Sequence, residues 1–344
     1  MYYIQNKDEN LLDIISFMKY LILSLLILST NVFAQDKDWI FDRANFYVEN
    51  DVYSGTDNQY TAGERLTFLY HIPDEDYYIY NLLGYDSQKN YSYFTFSMTS
   101  QIFTPTDISK TVLITDDRPY AGWFYTESTI HKAFENELRS LSLKVGVVGP
   151  NSGAEHIQNN FHLLIGSPNV NGWDNQLKNE IAFGLKYTQK YRLESLNTDY
   201  MQSSFIPFAS AELGTIAINA SLGFTARIGY NIPKDYGVSS IDIGADPGIP
   251  IYQEYKNMKS NPWSFSFNLT AATSAVAKDI FLDGNTFRDS HHVKKENFVN
   301  YYGFGFTLRY KNFIFDFMEI HNSKQFKLQK KPHDVGTLIV SWLF

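Results

Sequence analysis

From Trp39 onward, the chain is dominated by runs in which apolar and polar residues alternate. One such run reads Phe265, Ser266, Phe267, Asn268, Leu269 and Thr270. Successive side chains of a strand point to opposite faces, so each run has one apolar and one polar face. The alternation therefore predicts an all-β chain built from antiparallel strands.

We predict about twelve strands, an even number as in bacterial outer-membrane barrels. They lie near residues 41–51, 61–72, 91–102, 120–135, 138–149, 175–192, 204–215, 216–231, 262–276, 298–310, 311–323 and 335–344. Residues 151–166 break the pattern and predict a short helix capped by Asn151 or Ser152. Apolar residues recur at helical spacing in this segment, at Ile157, Phe161, Leu164 and Ile165.

Two all-β architectures can hold such strands, a soluble sandwich and a transmembrane up-and-down β-barrel. Several runs exceed the roughly five or six residues of a soluble strand, and Arg and Lys lie in mid-strand on the polar face. A water-filled lumen accepts such charges, so we predict the transmembrane barrel. The last strand ends in Phe344, which resembles the signal that the outer-membrane assembly machinery recognises.

Composition excludes several other classes. No internal stretch approaches the roughly 20 apolar residues that a membrane-spanning helix needs. The net charge of −8 argues against a nucleic-acid partner. The chain has no cysteine, so it has no disulfide, thiolate metal site or cysteine nucleophile.

The N-terminal segment has the features of a secretory signal peptide. Met18-Lys19 precedes an apolar run at residues 21–28, and a small residue, Ala34, follows. We predict that translation begins at Met18 and that cleavage follows Ala34. Residues 1–34 would then be an extension plus signal peptide, and residues 35–344 one barrel domain. The alternative is a membrane anchor, for which the apolar run is short.

The predicted topology brings several polar residues to one rim. Both ends of such a barrel normally lie in the periplasm, so the chain after each odd-numbered strand is extracellular. The residues placed at this extracellular rim are Asn50, Asp51, Thr61, Lys110, the segment 117–122, Gln158 and His162. Loops that are distant in sequence have no structural need to agree in this way, so the rim is the candidate site.

His162 and Gln158 are four residues apart and share one face of the predicted helix. A histidine at this position can act as a general base on water. The alternative is an ordinary surface histidine on a polar loop.

Asp51 and Asn50 offer the hard oxygen ligands that calcium prefers. The alternative is a turn at a strand end, where Asn-Asp is common. Asn50 points away from Asp51 in a regular strand, so it joins the site only where the strand ends or bulges. By the alternation of its strand, Thr61 should face the lumen together with Arg65 and Thr67.

Lys110 can hold a phosphate or stabilise an oxyanion, although an exposed loop lysine is the simpler interpretation. The segment 116–122 (DDRPYAG) either binds a ligand or forms a turn that directs the next strand, and we favour the turn.

At these residues the sequence resembles the outer-membrane lipid A 3′-O-deacylase family. The matching stretches are Asn50-Asp51, residues 60–63, 101–105 with Lys110, 118–122 and 146–166, followed by Trp173 and Gln176. The resemblance is strongest over residues 45–185, and its most specific part is the Gly-Pro…Gln-Asn…His pattern of residues 149–162.

The resemblance implies a twelve-stranded barrel that acts as a calcium-dependent esterase at the outer leaflet. It would remove the acyloxyacyl group from the 3′ position of lipid A, the lipid part of lipopolysaccharide. His162 would be the base that activates water, and Asp51 would bind calcium together with Asn50. Thr61, Lys110, Gln158 and Asn50 would position the substrate or stabilise the oxyanion. Thr111 follows the lysine where some members carry a basic residue, so phosphate or sugar contacts are expected to differ.

Three rival functions remain at this stage. A barrel phospholipase acting on glycerophospholipids shares the ester chemistry, and only substrate tests separate it. A porin needs an open lumen, and a barrel of this strand number leaves little room. A purely structural or surface-binding barrel would use the rim residues only to fold its loops.

Overall fold

The alternating runs form one antiparallel sheet in the computed structural model, which describes residues 39–51, 59–73, 78–84, 90–167, 170–198, 200–237, 240–241, 248–251 and 262–344. The predicted extension and signal peptide lie outside the described residues. Phe41–Phe344 forms one compact unit.

The first six strands are β1 (Ile40–Asn50), β2 (Gln59–Ile72), β3 (Tyr91–Thr104), β4 (Ala121–Ala133), β5 (Glu137–Val148) and β6 (Glu180–Tyr191). The remaining strands are β7 (Leu193–Asn197), β8 (Gln202–Gly214), β9 (Ala217–Tyr230), β10 (Trp263–Asp279), β11 (Phe298–Tyr310), β12 (Phe313–Asn322) and β13 (His333–Leu343). Within the described ranges, two helices interrupt them, α1 (Ala154–Ile165) and α2 (Ile280–Asp283). Short 3-10 turns lie at Tyr78–Leu83, Pro150–Ser152 and Trp173–Asn175.

The sheet closes into a barrel of twelve strands. β1 pairs with β13, and β6 pairs with β8, so the ring has no free edge. β7 continues the pairing of β6 along β8, since Lys190 faces Phe208 and Leu193 faces Phe205 in the same register. These two segments are therefore one barrel strand interrupted at Arg192, which confirms the predicted twelve strands.

Side-chain polarity is inverted relative to a soluble protein. On β10, Phe267 and Leu269 are 61% and 55% exposed, while Ser266, Asn268 and Thr270 are buried. A sandwich would bury the phenylalanines, whereas a barrel in lipid presents them outward. The pattern confirms the transmembrane barrel and overturns the sandwich alternative.

Inward-facing side chains of nearby strands form ion pairs along the lumen wall. Arg65 on β2 donates to Glu127 on β4 at 2.6 Å and to Thr99 and Tyr125 at 2.9 and 3.0 Å. These groups are fully buried, and burial of an ion pair is tolerated only when the partners satisfy each other.

The connection between β9 and β10 folds back into the lumen. Tyr236 donates to the backbone oxygen of Glu137 at 2.8 Å, and Asp235 accepts from Arg227 on β9 at 2.5 Å. Farther along, the backbone N–H of Ile241 donates to Glu49 at 2.8 Å. We call the described residues 232–237, 240–241 and 248–251 the luminal segment.

The two ends of the barrel differ in their loops. We call the end that includes Phe41 and Leu343 the terminal rim, and the end that includes Asn50 and Thr104 the site rim. α1 belongs to the site rim, because it connects the ends of β5 and β6 there. No helix among the described residues is long and apolar enough to cross a membrane.

We expect Glu127→Ala to destabilise the barrel by about 3 kcal/mol, because it leaves the buried Arg65 guanidinium without its carboxylate. Urea unfolding in detergent micelles, followed by heat-modifiable gel mobility, measures the loss. Thr126→Ala, on the outward face of the same strand, is the matched control. Equal stabilities for the two variants would contradict a structural role for the pair.

We expect the wild-type barrel to show no steady conductance in planar bilayers, because the luminal segment obstructs the lumen. Asp235→Ala, which removes the bond to Arg227, should produce brief openings. A stable open-pore current from the wild type would instead favour the porin alternative.

Candidate functional site

Helix α1 lies against the outer surface of β3 and β4 at the site rim. Phe103 and Trp123 line a luminal cavity of about 150 Å³, so Ile102 and Gly122, which precede them, face outward. Ala154 packs against Ile102, and a Cβ placed on Gly122 would lie 2.2 Å from the Cβ of Ala154. Glycine at position 122 therefore lets the helix approach the wall.

Glycines rather than polar caps set the ends of α1. Gly153 is the N-cap residue with φ 75°, and not Asn151 or Ser152 as predicted, although the hydroxyl of Ser152 accepts from the backbone N–H of Ala154 at 3.4 Å. Gly166 ends the helix with φ 72°, and its N–H donates to the carbonyl of His162. A left-handed glycine at each end turns the chain without steric cost.

The face of α1 that meets the wall is polar. Gln158 and His162 are 3% and 4% exposed, which confirms that they share a face and excludes an ordinary surface histidine. The Oε1 atom of Gln158 accepts from the indole N–H of Trp173 at 3.0 Å. This bond orients the amide, and its Nε2 atom is buried with no hydrogen-bond acceptor among the described residues. Gln158 therefore presents a donor to the interface.

Apart from Ala154, the apolar residues of α1 whose side chains are described do not form its buried face. Ile157, Phe161 and Leu164 are 39%, 45% and 82% exposed. The side chain of Ile165 lies outside the described part. Helical spacing thus predicted the helix but not which face meets the barrel.

Thr61 does not face the lumen, contrary to the prediction. The register shifts between Tyr60 and Ala62, so Thr61 is the extra residue of a β-bulge. Its hydroxyl bonds the hydroxyl of Thr104 at 2.7 Å, and Thr104 shares the outward face of β3 with Ile102. The bulge therefore turns Thr61 toward the side of the wall that carries α1.

Asn50 and Asp51 lie where β1 ends. Asn50 is the last residue of the strand and is partly buried, whereas Asp51 is fully buried. We predicted that Asn50 joins the site only where the strand ends or bulges, and β1 does end at this residue. Glu49 fixes this point, since its carboxylate accepts from Tyr60 at 2.7 Å and Thr337 at 3.0 Å as well as from the luminal segment.

The donors at this strand end suit a calcium ion but do not complete its shell. Asp51 supplies a buried carboxylate and Asn50 an amide oxygen, both hard ligands. Within the described ranges, no three His, Asp or Glu side chains converge into a metal cluster. A calcium ion here would also need backbone carbonyls, water or substrate oxygens.

Lys110 lies on the exposed loop between β3 and β4. Its ammonium is 3.6 Å from Asp107, whose pKa is lowered chiefly by the hydrogen bond from Ser109. Asn171 and Asn175, which follow α1, donate to the carbonyls of Ser109 and Thr111 on either side of the lysine. The loop is thus fastened beside α1 while the lysine side chain remains in solvent.

The segment before β4 is structural, as favoured. Asp117 accepts from the backbone N–H of Thr106 at 2.8 Å, and Arg118 donates to Gln325 at 3.3 Å across the barrel mouth. Arg118 lies over the ring of Phe103, and burial lowers the pKa of its guanidinium to about 10.

No role was predicted from the sequence for three polar residues of the outer wall: Glu64, Ser100 and Thr104. Thr104 binds Thr61, and Ser100 hydrogen-bonds Glu64 on the neighbouring strand. Glu64 follows Ala62 on the outward face of β2, where Leu66 comes next. A carboxylate interrupting an apolar outward face is the signal that identifies it.

The site rim carries side chains of the kinds that hydrolytic enzymes use. α1 contributes an imidazole and an amide donor, the bulge contributes a hydroxyl, and the end of β1 contributes a carboxylate. All of them are at the site rim, and three of these residues are almost completely buried: Gln158, His162 and Asp51.

Comparison with solved structures agrees with this architecture. LpxR from Salmonella typhimurium is similar over 88% of this chain and 100% of its own, with a TM-score of 0.71 and 17% sequence identity. The β-domain of the Bordetella autotransporter BrkA (TM-score 0.38, 6% identity, 88% and 98% coverage) and the translocator domain of NalP from Neisseria meningitidis (TM-score 0.36, 10% identity, 96% and 98% coverage) are too distant to support an argument.

No curated protein sequence matches the chain significantly. The family model described as outer membrane protein LpxR matches residues 21–344. That match spans nearly the whole chain, and the Salmonella structure shares its fold. The protein is an outer-membrane β-barrel that belongs to the LpxR family.

Proposed function

We propose that this protein is a lipid A deacylase that hydrolyses the 3′-linked acyloxyacyl ester of lipopolysaccharide in a calcium-dependent reaction. The observation that carries the proposal is the buried polar face of α1, which holds His162 and Gln158 against the outer wall of the barrel. This location suits a substrate that is itself a membrane lipid. We place the site rim on the extracellular side, where lipid A forms the outer leaflet.

In this proposal His162 is the general base. Its imidazole takes a proton from a water molecule, whose oxygen attacks the ester carbonyl carbon. When the carbon–oxygen bond breaks, the imidazolium returns the proton to the departing 3′ oxygen. The products are the free acyloxyacyl acid and a 3′ hydroxyl on the sugar, so the overall change consumes one water.

The oxyanion of the tetrahedral intermediate needs donors that are fixed in advance. The Nε2 group of Gln158 is one, because Trp173 holds the other end of the amide. Lys110 approaches from the loop, and Thr61 positions the ester from the bulge. Asp51 and Asn50 would hold calcium, which supplies Lewis-acid polarisation of the carbonyl when bound.

We expect His162→Ala to lower deacylation by at least about 100-fold, because it removes the general base. Mass spectrometry of lipid A from expressing cells measures the loss of one acyloxyacyl unit. His156→Ala, on the exposed face of the same helix, is the matched control and should retain activity. Heat-modifiable gel mobility verifies that both barrels are folded.

Unchanged lipid A with wild-type protein in calcium-replete membranes would contradict the proposal. Release of fatty acid from glycerophospholipids instead would favour the phospholipase alternative.

We expect a calcium chelator to abolish activity and added calcium to restore it. Asp51→Asn should require a calcium concentration roughly 10-fold higher or more, because the carboxylate loses its charge. Asp289→Asn, an exposed acid in the connection between β10 and β11 at the same rim, serves as the control. Full activity of Asp51→Asn in the chelator would rule out this role for Asp51.

A further inference from the structure

Helix α1 carries an exposed apolar flank. Ile157, Phe161 and Leu164 recur at i, i+4 and i+7, so they form one stripe along the helix. All three are exposed, and Leu164 is 82% exposed. A stripe of this kind in water would be unfavourable, because each large apolar side chain gains free energy by leaving water.

The orientation of the helix separates this flank from its polar side. With about 100° per residue, the stripe lies roughly a quarter turn from the buried face formed by Gln158 and His162. Glu155 and Asn159 lie on the opposite flank, and the outermost face carries the exposed His156. A helix with one apolar and one polar flank is suited to lie at a membrane surface with its apolar side immersed.

The barrel wall beside α1 continues the apolar surface. The outward-facing, partly exposed residues of the wall farther from the rim include Leu66, Met98 and Phe124. Phe124 is two residues beyond Gly122, which contacts the start of the helix, so it is about 7 Å farther down the strand. The helix therefore lies at the border of the lipid-facing belt that closure of the barrel establishes, and lipid is the medium that an exposed apolar flank would meet there.

We propose that the flank of Ile157, Phe161 and Leu164 is immersed among the acyl chains of the leaflet and holds the acyl chain of the substrate beside the site. In the sequence, His162 follows Phe161 and Gln158 follows Ile157. An acyl chain of the substrate that lies along the flank therefore brings its ester to the adjacent polar face of the helix. The part of this inference that concerns substrate binding rests on the proposed function. The immersion of the flank in the leaflet does not depend on it.

Immersion is tested by spin labelling of single introduced cysteines. The sequence has no cysteine of its own, so each variant carries a label at one known position. Leu164→Cys and Glu155→Cys carry a nitroxide in vesicles containing lipopolysaccharide. We expect the label at position 164 to be accessible to oxygen and shielded from a water-soluble nickel chelate, and the label at 155 to show the reverse.

Equal access of the nickel chelate to both labels would overturn the proposal, since the flank would then lie in water. Dipolar broadening of the label at 164 would also overturn it, because a second copy of the chain would then cover the flank. Both readouts are independent of deacylation, so they stand even if the proposed function fails.

The role in substrate binding is tested by a double variant, Phe161→Ser with Leu164→Ser. We expect KM for membrane-embedded substrate to rise roughly tenfold, while kcat/KM for a soluble short-chain ester is unchanged. Leu163→Ser is the matched control, because that leucine is 78% exposed but lies off the stripe. An equal loss on both substrates, or no loss on either, would contradict the proposal.

Discussion

Closure of the sheet is the constraint on which the rest of the molecule depends, because lipid offers no partner to an exposed backbone N–H or carbonyl. The pairings of β1 with β13 and of β6 with β8 complete the ring. Once the ring is closed, alternation along each strand assigns every side chain either to lipid or to the lumen. Apolar residues go outward, and polar residues that go inward must satisfy one another, as Arg65 and Glu127 do.

That regularity explains how much of the fold follows from the sequence. Period-two alternation needs only the identities of neighbouring residues, so it predicts the strands, their number and the rim on which each loop lies. Gathering Asn50, Asp51, Thr61, Lys110, Gln158 and His162 at one rim follows from counting strands. The order of the loops also predicts that α1 belongs there.

The wrong predictions concern residues at which the regular alternation of the strands is interrupted or does not apply. The alternation assigned Thr61 to the lumen, and a one-residue bulge reverses that assignment. Such a bulge has no signature in hydrophobic pattern alone. For α1, the pattern identifies an apolar stripe, but in a soluble protein that stripe would be buried. Here the surroundings are lipid, so the polar face of Gln158 and His162 packs against the wall and the stripe remains exposed.

The contents of the lumen and the site on the outer wall are connected through the end of β1. Glu49 faces inward and accepts from Tyr60, Thr337 and the luminal segment, while Asn50 and Asp51 follow it directly. Tyr60, bound to the same carboxylate, immediately precedes Thr61 at the bulge. An empty lumen would remove the Ile241 donor and leave a buried carboxylate with fewer partners, which is costly. The luminal segment that obstructs the barrel therefore helps to hold in register the two strand ends that carry the candidate site. An open pore would need that segment to leave, whereas a fixed outer-wall site needs it to stay bound to Glu49.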